Sequence, residues 1–375
     1  MTEVGIVGLP QAGKSTLMSA VTGAQAAGGD VLRGVIPVPD ERVDRLAEIF
    51  QPKKTTYATL QITDLAPAHG PLKKGEMFTP AQLGHLRDMD LLIVLVRVFG
   101  SEAVPHPLNR IAPPEDFSLF LSECLLADLA IVEKRVERLD TDISKGGAGK
   151  KVSDLELEKD GLVRIQAALA EEKPARSVEV SDQQEIMYRG FGFLSGKQII
   201  PVANTSDLGN DAEKKGFESL KGEVEKTNTA FPAWNLPDPF PVNAALELEL
   251  REMLGPENLG GEEASEYFQE VGLGGPCYDA IITQAYKSLG LISFLTTGED
   301  EVRAWTIPQG YLAPNAAGAI HSDLERGFIR ADTVAYDDFI KAGNMADCRK
   351  AGTLRTEGKE YVVADGDIIE VKFSV

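Results

Sequence analysis

Short apolar runs alternate with amphipathic stretches in the first quarter of the chain. The predicted strands cover residues 4–7, 34–38, 58–63 and 91–96, and the predicted helices cover residues 15–21, 42–50 and 81–88. Residues 91–96 form a continuous apolar run, which is typical of a strand buried on both faces of a sheet. Strands that alternate with helices in this way indicate an α/β fold built on a parallel sheet.

The alternation stops near Pro113 and returns near residue 198. Residues 117–143 carry apolar side chains at helical spacing, and residues 155–170 are again helical after a glycine- and lysine-rich turn at 144–151. Two helices joined by such a turn form an antiparallel hairpin. The sheet pattern resumes at residues 198–203, and a further strand is expected to end at 241–243. From about residue 278 a small α+β domain is predicted, with strands at 291–296, 302–307, 361–363 and 368–375.

A glycine-containing loop follows the first predicted strand directly. Residues 8–16 have the sequence Gly-Leu-Pro-Gln-Ala-Gly-Lys-Ser-Thr, which fits the phosphate-binding loop pattern of Gly, four residues and Gly-Lys-Ser. Glycines allow backbone N–H groups to turn toward a polyphosphate, and the positive end of the following helix assists them. A glycine-rich turn with a chance Lys-Ser pair is the alternative, but the spacing and the strand–loop–helix context argue against it. The sequence therefore predicts a nucleoside triphosphate site formed by Gln11, Ala12, Gly13, Lys14, Ser15 and Thr16.

The composition limits the classes of partner. The chain has 375 residues, 43% of them hydrophobic, so it can form two or three domains with sizeable cores. A net charge of −20 argues against DNA binding or general coating of nucleic acid, although the lysines of the 144–151 turn could touch RNA or an acidic partner. A solvated loop is the alternative for that turn. Three cysteines without paired spacing, no signal peptide and no membrane-spanning run predict a cytoplasmic protein.

Several segments resemble the Obg-like ATPases, the YchF branch of the P-loop NTPases. The match is strongest at residues 303–306, 313–318 and 325–331, and residues 34–42 are also similar to the family. The resemblance covers nearly the whole chain. It implies a P-loop G domain whose parallel sheet is interrupted by a helical hairpin and followed by a β-grasp TGS domain. The implied boundaries are 1–115 and 181–277 for the two parts of the G domain, 116–180 for the hairpin and 278–375 for the TGS-like domain.

The resemblance also implies an activity and its residues. The chain would be a Mg²⁺-dependent hydrolase of ATP or GTP, slow or stimulated by a partner, which reaches the ribosome through the hairpin and the TGS domain. Lys14 would act in catalysis by neutralising phosphate charge, and Ser15 and Asp64 would hold the metal directly or through water. The base would be contacted by Asn204, Thr205 and Asp207.

Three departures from the family pattern concern the two switches and the base motif. The Mg²⁺-binding threonine of the first switch aligns with Gly28, and the second switch has Pro67, which lacks an N–H, where the family has glycine. The base motif has Asp207 where the family has Glu, and it lacks the lysine of guanine-binding motifs. The choice between ATP and GTP therefore stays open. A plain strand-to-helix turn, with Asn and Ser as caps, is the alternative for this tetrapeptide.

Two other functions are also considered. A nucleotide-binding interaction protein that no longer cycles would explain the degenerate switches. A small-molecule kinase is disfavoured because no substrate-phosphorylation motif accompanies the loop. Ala68 aligns with the water-orienting glutamine of Ras-like proteins, so His69 or His85 could serve as a base, although histidines in or beside such a loop are more often surface residues.

Overall fold

The computed structural model describes residues 2–23, 31–65, 77–147 and 149–374. Its contacts divide the chain into two compact units. The larger unit contains residues 2–34 and 61–280, and the smaller unit contains residues 35–60 and 281–375. The four-part division at residues 115, 180 and 277 stays a prediction, and residues 35–60, which it assigns to the G domain, are grouped with the C-terminal residues.

The first strands and helices follow the predicted alternation. The strands of the N-terminal and central parts are β1 (Glu3–Val7), β2 (Val31–Pro37), β3 (Lys54–Thr56), β4 (Thr59–Leu65), β5 (Leu91–Arg97), β6 (Gln198–Asn204) and β7 (Phe240–Val242). The helices that accompany them are α1 (Lys14–Thr22), α2 (Glu41–Phe50), α3 (Pro80–Asp88), α4 (Pro113–Ser144), α5 (Val152–Ala170), α6 (Asp182–Tyr188), α7 (Asp211–Ala230), α8 (Ala244–Leu254) and α9 (Glu262–Glu270).

A six-stranded sheet in the order β2-β4-β1-β5-β6-β7 forms the centre of the larger unit. The pairs β1–β4, β1–β5, β5–β6 and β6–β7 are parallel. Every residue of β5 is buried, which confirms the prediction of a strand covered on both faces. Because the strands are parallel, the segments that follow β1, β4 and β6 meet at one edge of the sheet.

The inserted helices form the predicted hairpin. Helices α4 and α5 pack against each other, and the guanidinium of Arg135 on α4 donates two hydrogen bonds of 2.7 Å to the carboxylate of Glu158 on α5. The turn between them needs glycine, since Gly147 has a φ of +96° and a Cβ there would lie 2.3 Å from the carbonyl oxygen of Lys150. None of the helices in the described ranges is long and apolar enough to cross a membrane.

The smaller unit contains a mixed sheet. Its C-terminal elements are α10 (Cys277–Leu289, which begins in the larger unit), β8 (Leu291–Thr296), β9 (Glu301–Pro308), α11 (Ala313–Ile320), α12 (Ser322–Arg326), β10 (Phe328–Ala335), α13 (Tyr336–Ala342), α14 (Met345–Ala351), β11 (Arg355–Glu357) and β12 (Asp367–Phe373). The strand order is β11-β10-β12-β8-β9-β3. Phe294, Phe328 and Ile369 from the sheet pack against the alanines of α11 to form its core. Its identity as a TGS domain stays a prediction.

One predicted strand in this unit is wrong. Residues 361–363 contribute only an isolated bridge between Val362 and Leu312. The backbone there binds the segment around the start of α11 instead, because the Tyr361 carbonyl accepts from the N–H of Ala313 and the N–H of Val363 donates to Tyr311. The strands β3, β10 and β11 were not predicted.

Candidate nucleotide-binding site

Three residues of the loop between β1 and α1 have positive φ values, and two of them are glycines. Gly8, Gln11 and Gly13 have φ values of +145°, +63° and +96°. A Cβ at Gly8 would lie 2.3 Å from the carbonyl oxygen of Leu95, and one at Gly13 would lie 2.2 Å from Asn204 Nδ2, so neither position accepts a side chain. Helix α1 begins with Gly13 as its N-cap and no side-chain cap. Its first N–H groups therefore suit an anionic ligand.

Lys14 folds over the loop that precedes it. Its Nζ donates hydrogen bonds to the carbonyl oxygens of Gly8 at 3.0 Å and Leu9 at 2.9 Å. Burial lowers the pKa of this amine below its usual range, and the negative charge of Asp64 opposes the shift. A partly desolvated ammonium group gains free energy when a phosphate oxygen approaches it.

Ser15 and Asp64 bring two oxygen donors together beside the loop. The Ser15 hydroxyl donates to Asp64 Oδ2 at 2.7 Å. Asp64 lies near the end of β4 and is 3% exposed, and its Oδ1 is buried without a hydrogen-bond partner in the part of the chain that the structure describes. Burial raises the pKa of this carboxyl, whereas the hydrogen bond from Ser15 and the charge of Lys14 oppose the rise.

A hydroxyl and a carboxylate are hard oxygen ligands of the kind that Mg²⁺ prefers. Among the described residues no three or more His, Cys, Asp or Glu side chains form a group that could hold a metal by themselves. A magnesium ion of a phosphate-binding loop does not need such a group, because the phosphates and water supply its other ligands. Ser15 and Asp64 therefore fit the predicted metal.

Asn204 ties the predicted base-binding segment, residues 204–207, to the phosphate loop. It ends β6 and is 4% exposed. Its Nδ2 donates to the carbonyl oxygen of Ala12 at 2.8 Å, and its Oδ1 accepts from the N–H of Ala244 at 3.2 Å. The structure thus joins Asn204 to the phosphate loop and to the first residue of α8, and its predicted contact with the base stays a prediction.

Thr205 and Asp207 lie in the same turn but differ in burial. Thr205 is buried, its N–H donates to the carbonyl oxygen of Val242 at 2.8 Å, and its hydroxyl donates to Glu213. Asp207 is exposed, and its Oδ1 accepts from the N–H of Gly209 at 2.7 Å. The cap of α7 is Asn210, so the tetrapeptide 204–207 does not supply the caps that the alternative interpretation required.

Two supporting residues were missed by sequence reasoning. Glu213 accepts four hydrogen bonds from residues 205–207, and Asn243 caps α8 while its Nδ2 donates to the carbonyl oxygen of Ser206 at 2.9 Å. Asn243 could have been found, because an asparagine between a predicted strand and a helix is a typical N-cap. Glu213 has the sequence context of a capping glutamate at the start of a helix, and nothing local indicates its bonds to residues 205–207.

A buried histidine–aspartate pair behind the loop was also missed. His106 Nε2 and Asp116 Oδ2 are 3.1 Å apart, and His106 Nδ1 accepts from the N–H of Leu108, so Nε2 carries the proton given to Asp116. Burial raises the pKa of Asp116, against the opposing influence of His106 and Arg110. Asp116 also lines a small cavity with Gly8.

The other residues discussed from the sequence do not enlarge the site. Gly28, Pro67, Ala68 and His69 lie outside the described residues. His85 is exposed on α3.

A sheet whose strands β4, β1, β5, β6 and β7 pair in parallel, with a phosphate-binding loop after β1, defines this chain as a nucleotide-binding P-loop NTPase. The comparisons agree: a family model described as "50S ribosome-binding GTPase" matches residues 3–116. A second model, YchF-GTPase C-terminal, described as "Protein of unknown function (DUF933)", matches residues 291–374.

Full-length relatives identify the family. The chain is 39% identical to "Ribosome-binding ATPase YchF" of Bacillus subtilis over 99% of each chain. It is 33% identical to "Obg-like ATPase 1" of Caenorhabditis elegans over 99% of this chain and 92% of the relative. The solved structure of the Schizosaccharomyces pombe YchF GTPase matches with a TM-score of 0.80 and 29% identity, covering 99% of this chain and 97% of that one. The chain belongs to the YchF family of Obg-like ATPases, which confirms the predicted family and fold class.

Proposed function

We propose that this chain is a magnesium-dependent ATPase that works in association with the ribosome. The observation that carries the proposal is the arrangement of Lys14, Ser15 and Asp64 around the loop at residues 8–16. These groups supply a cation and two oxygen ligands at the start of an uncapped helix, as triphosphate binding requires. The preference for ATP is supported by the names of the full-length relatives, both of which are called ATPases, and the ribosomal partner by the name of the Bacillus subtilis relative.

The loop residues bind and orient the phosphates. The N–H groups of Gln11, Ala12, Gly13, Lys14, Ser15 and Thr16 would surround the β-phosphate. The Lys14 amine exchanges its bonds to the carbonyl oxygens of Gly8 and Leu9 for bonds to phosphate oxygens, which neutralises charge that grows on them during transfer. Ser15 and Asp64 would hold Mg²⁺, directly or through water, and the chemistry that a metal held there would supply is neutralisation of phosphate charge.

The segment after β6 would contact the base. Asn204 sets the distance between this segment and the phosphate loop through its bond to Ala12. Thr205 stands where guanine-binding motifs carry a lysine, and its hydroxyl points to Glu213. A buried threonine cannot supply the extended, solvated chain of a lysine. This difference supports ATP, while the exposed carboxylate of Asp207 is the one group that favours GTP.

The hairpin offers a surface for ribosomal RNA. Lys145, Lys150 and Lys151 are exposed at its turn, on a chain whose net charge is −20. A local cluster of lysines can contact phosphates despite an acidic overall charge, because charges beyond about 10 Å are screened at cellular salt. The C-terminal unit would supply a second contact as a TGS domain. We propose a cytoplasmic location on the same ground, because a ribosomal partner would be met there.

A nucleotide-binding interaction protein without a cycle is the second candidate. The sequence observation that favours it is the pair of switch replacements, Gly28 and Pro67, which remove a hydroxyl and an N–H from the γ-phosphate side. Such a protein would bind nucleotide at the same loop but would not turn it over.

Titration of the purified chain with ATP, ADP, GTP and GDP, with Mg²⁺ and with a chelator, tests the proposal. Phosphate release is then measured with and without ribosomes. We expect Mg²⁺-dependent binding of ATP in preference to GTP, and ATP turnover that ribosomes accelerate. Binding of ATP without any turnover, even on ribosomes, would favour the interaction protein. No binding of any nucleotide would refute the phosphate site itself.

A further inference from the structure

The base-binding segment is held by one carboxylate. Glu213 accepts a hydrogen bond from the Thr205 hydroxyl, from the Ser206 N–H at 2.7 Å, from the Ser206 hydroxyl at 2.6 Å and from the Asp207 N–H at 3.1 Å. Three consecutive residues thus direct donors to the same side chain. Hydrogen bonds to a carboxylate are stronger than those to a neutral acceptor, so this arrangement restrains the segment firmly.

Glu213 does not have the role that its place in α7 predicts. It is the third residue of the helix, after the cap Asn210. A glutamate at this position commonly reaches back to the N–H of the cap residue. Here its oxygens turn to residues 205–207, and the cap is completed by Asn210 Oδ1, which accepts from the N–H of Ala212 at 2.9 Å. The carboxylate is therefore available to the turn without loss of the helix cap.

The charge state of Glu213 fits this role. The side chain is buried, and burial alone opposes ionisation. The hydrogen bonds from Ser206, Thr205 and the Asp207 N–H overcome that effect and hold its pKa below the usual range. Glu213 is thus an anion at neutral pH, and its negative charge is matched by donors of the base-binding segment.

The opposite side of the segment is held as well. The carbonyl oxygen of Ser206 accepts from Asn243 Nδ2, and the N–H of Thr205 donates to Val242. Asn204, one residue earlier, is bonded to the phosphate loop through Ala12. Residues 204–207 therefore have a fixed conformation and a fixed position relative to the phosphate loop in the protein alone. When a site is ordered before the ligand binds, less binding free energy is lost to ordering the site.

We propose that Glu213 is the positioning residue of the base-binding segment. It fixes residues 205–207 in the conformation that contacts the base, so its loss weakens binding of the nucleoside part of ATP and not of the phosphate part. This inference rests on the proposed function, since it assumes that ATP binds at the loop of residues 8–16. It predicts that a substitution at Glu213 changes the affinity only for ligands that carry a base.

The test compares ATP with a probe that has no base. Mg²⁺-ATP and Mg²⁺-tripolyphosphate are titrated by calorimetry into the parent protein and Glu213→Gln, which keeps the side-chain shape but removes the charge. We expect Glu213→Gln to weaken ATP by about tenfold or more and tripolyphosphate by less than about twofold. Asn210→Ala is the matched control, because it removes a cap of the same helix and leaves all four bonds to Glu213; both affinities should match the parent.

Ser206→Ala is a second variant, for the case that Glu213→Gln fails to fold. Ser206 is exposed, and the change removes one of the four bonds. It should weaken ATP by about two- to fourfold and leave tripolyphosphate unchanged.

Three results would overturn the inference. Parent-like binding of ATP by Glu213→Gln would show that the bonds do not matter for the base. An equal loss for ATP and tripolyphosphate would show damage to the phosphate loop instead. If the parent protein bound neither probe, the proposed function would fail and the inference with it. The first two results, by contrast, would overturn the inference and leave the proposed function intact.

Discussion

Lys14 offers a direct test of the phosphate site, because its amine is bonded to the loop that it serves. In Lys14→Met the side chain keeps its length and apolar stem and loses the charge. The variant removes two hydrogen bonds, from Nζ to the carbonyl oxygens of Gly8 and Leu9. The expected result is a large loss of triphosphate affinity with little change in the stability of the fold.

The two effects differ in size for a physical reason. Each lost bond to a carbonyl costs about 1 kcal/mol of stability. The lowered pKa of Lys14 means that burial makes the charged amine unfavourable in the folded state, so its removal returns part of that free energy. The free energy of unfolding should therefore change by no more than about 1 kcal/mol. Charged bonds to phosphate contribute about 1.5–3 kcal/mol each, so the loss of two such bonds should lower ATP affinity by at least about 100-fold.

Urea unfolding measures the free energy of unfolding, and calorimetric titration with Mg²⁺-ATP measures the affinity for ATP. Lys215→Met, at an exposed position on α7, is the matched control for the loss of a lysine charge and should leave both unchanged. Binding of ATP by Lys14→Met within about tenfold of the parent would refute the assignment of the phosphate loop. A loss of stability above about 3 kcal/mol would instead show that Lys14 is a structural residue.

The remaining predictions concern the base segment and the switches. Asn204→Ala leaves two buried backbone groups without partners, so urea unfolding should show a loss of about 2–4 kcal/mol, and a loss below about 1 kcal/mol would contradict this. Asp207→Ala, at an exposed position, should weaken GTP more than ATP in titrations if the acid contacts guanine, whereas equal effects would make it a turn residue only. Because Gly28 and Pro67 lack the groups that sense the γ-phosphate, ATP and ADP should differ by less than about tenfold in affinity, with similar hydrogen exchange at residues 23–33 and 67–80. Protection of either segment by a non-hydrolysable triphosphate alone would restore a working switch.

The sheet of the larger unit could be predicted because the apolar residues of its sequence are the residues that the fold buries. Strand β5 is apolar throughout and buried throughout, so its composition alone revealed its place at the centre. The smaller unit was harder. Residues 361–363 have the aromatic and β-branched composition of a strand, but their backbone bonds serve the start of α11. Strand β10 was missed because half of its residues are exposed or partly exposed and its pattern is interrupted near Phe328 by a shift of register.

The two halves of the site differ in the same way. The phosphate-binding loop at residues 8–16 is contiguous in the sequence, and its backbone requirements select glycine at Gly8 and Gly13, so a pattern of residue types was enough to predict it. The proposed base-binding half, residues 204–207, depends on partners from other elements. Glu213 on α7 accepts from the N–H of Ser206 across the turn that precedes the helix. Asn243, nearly forty residues later in the chain, donates to the carbonyl oxygen of Ser206. No local periodicity or motif encodes such bonds, which arise only when the chain folds.

Helix α8 explains why the two halves keep a constant separation. Its first N–H, at Ala244, donates to Asn204, and one turn before its end Arg251 donates from Nη1 to the carbonyl oxygen of Ala20 at 3.0 Å. Ala20 belongs to the last part of α1, the helix whose first residues belong to the proposed phosphate site. The base segment and the phosphate helix are thus joined at both ends of α8 by polar bonds with fixed directions. Apolar packing alone would let the two slide, whereas directional bonds fix both distance and orientation. The span between phosphate loop and base segment is therefore set by the protein before any nucleotide binds.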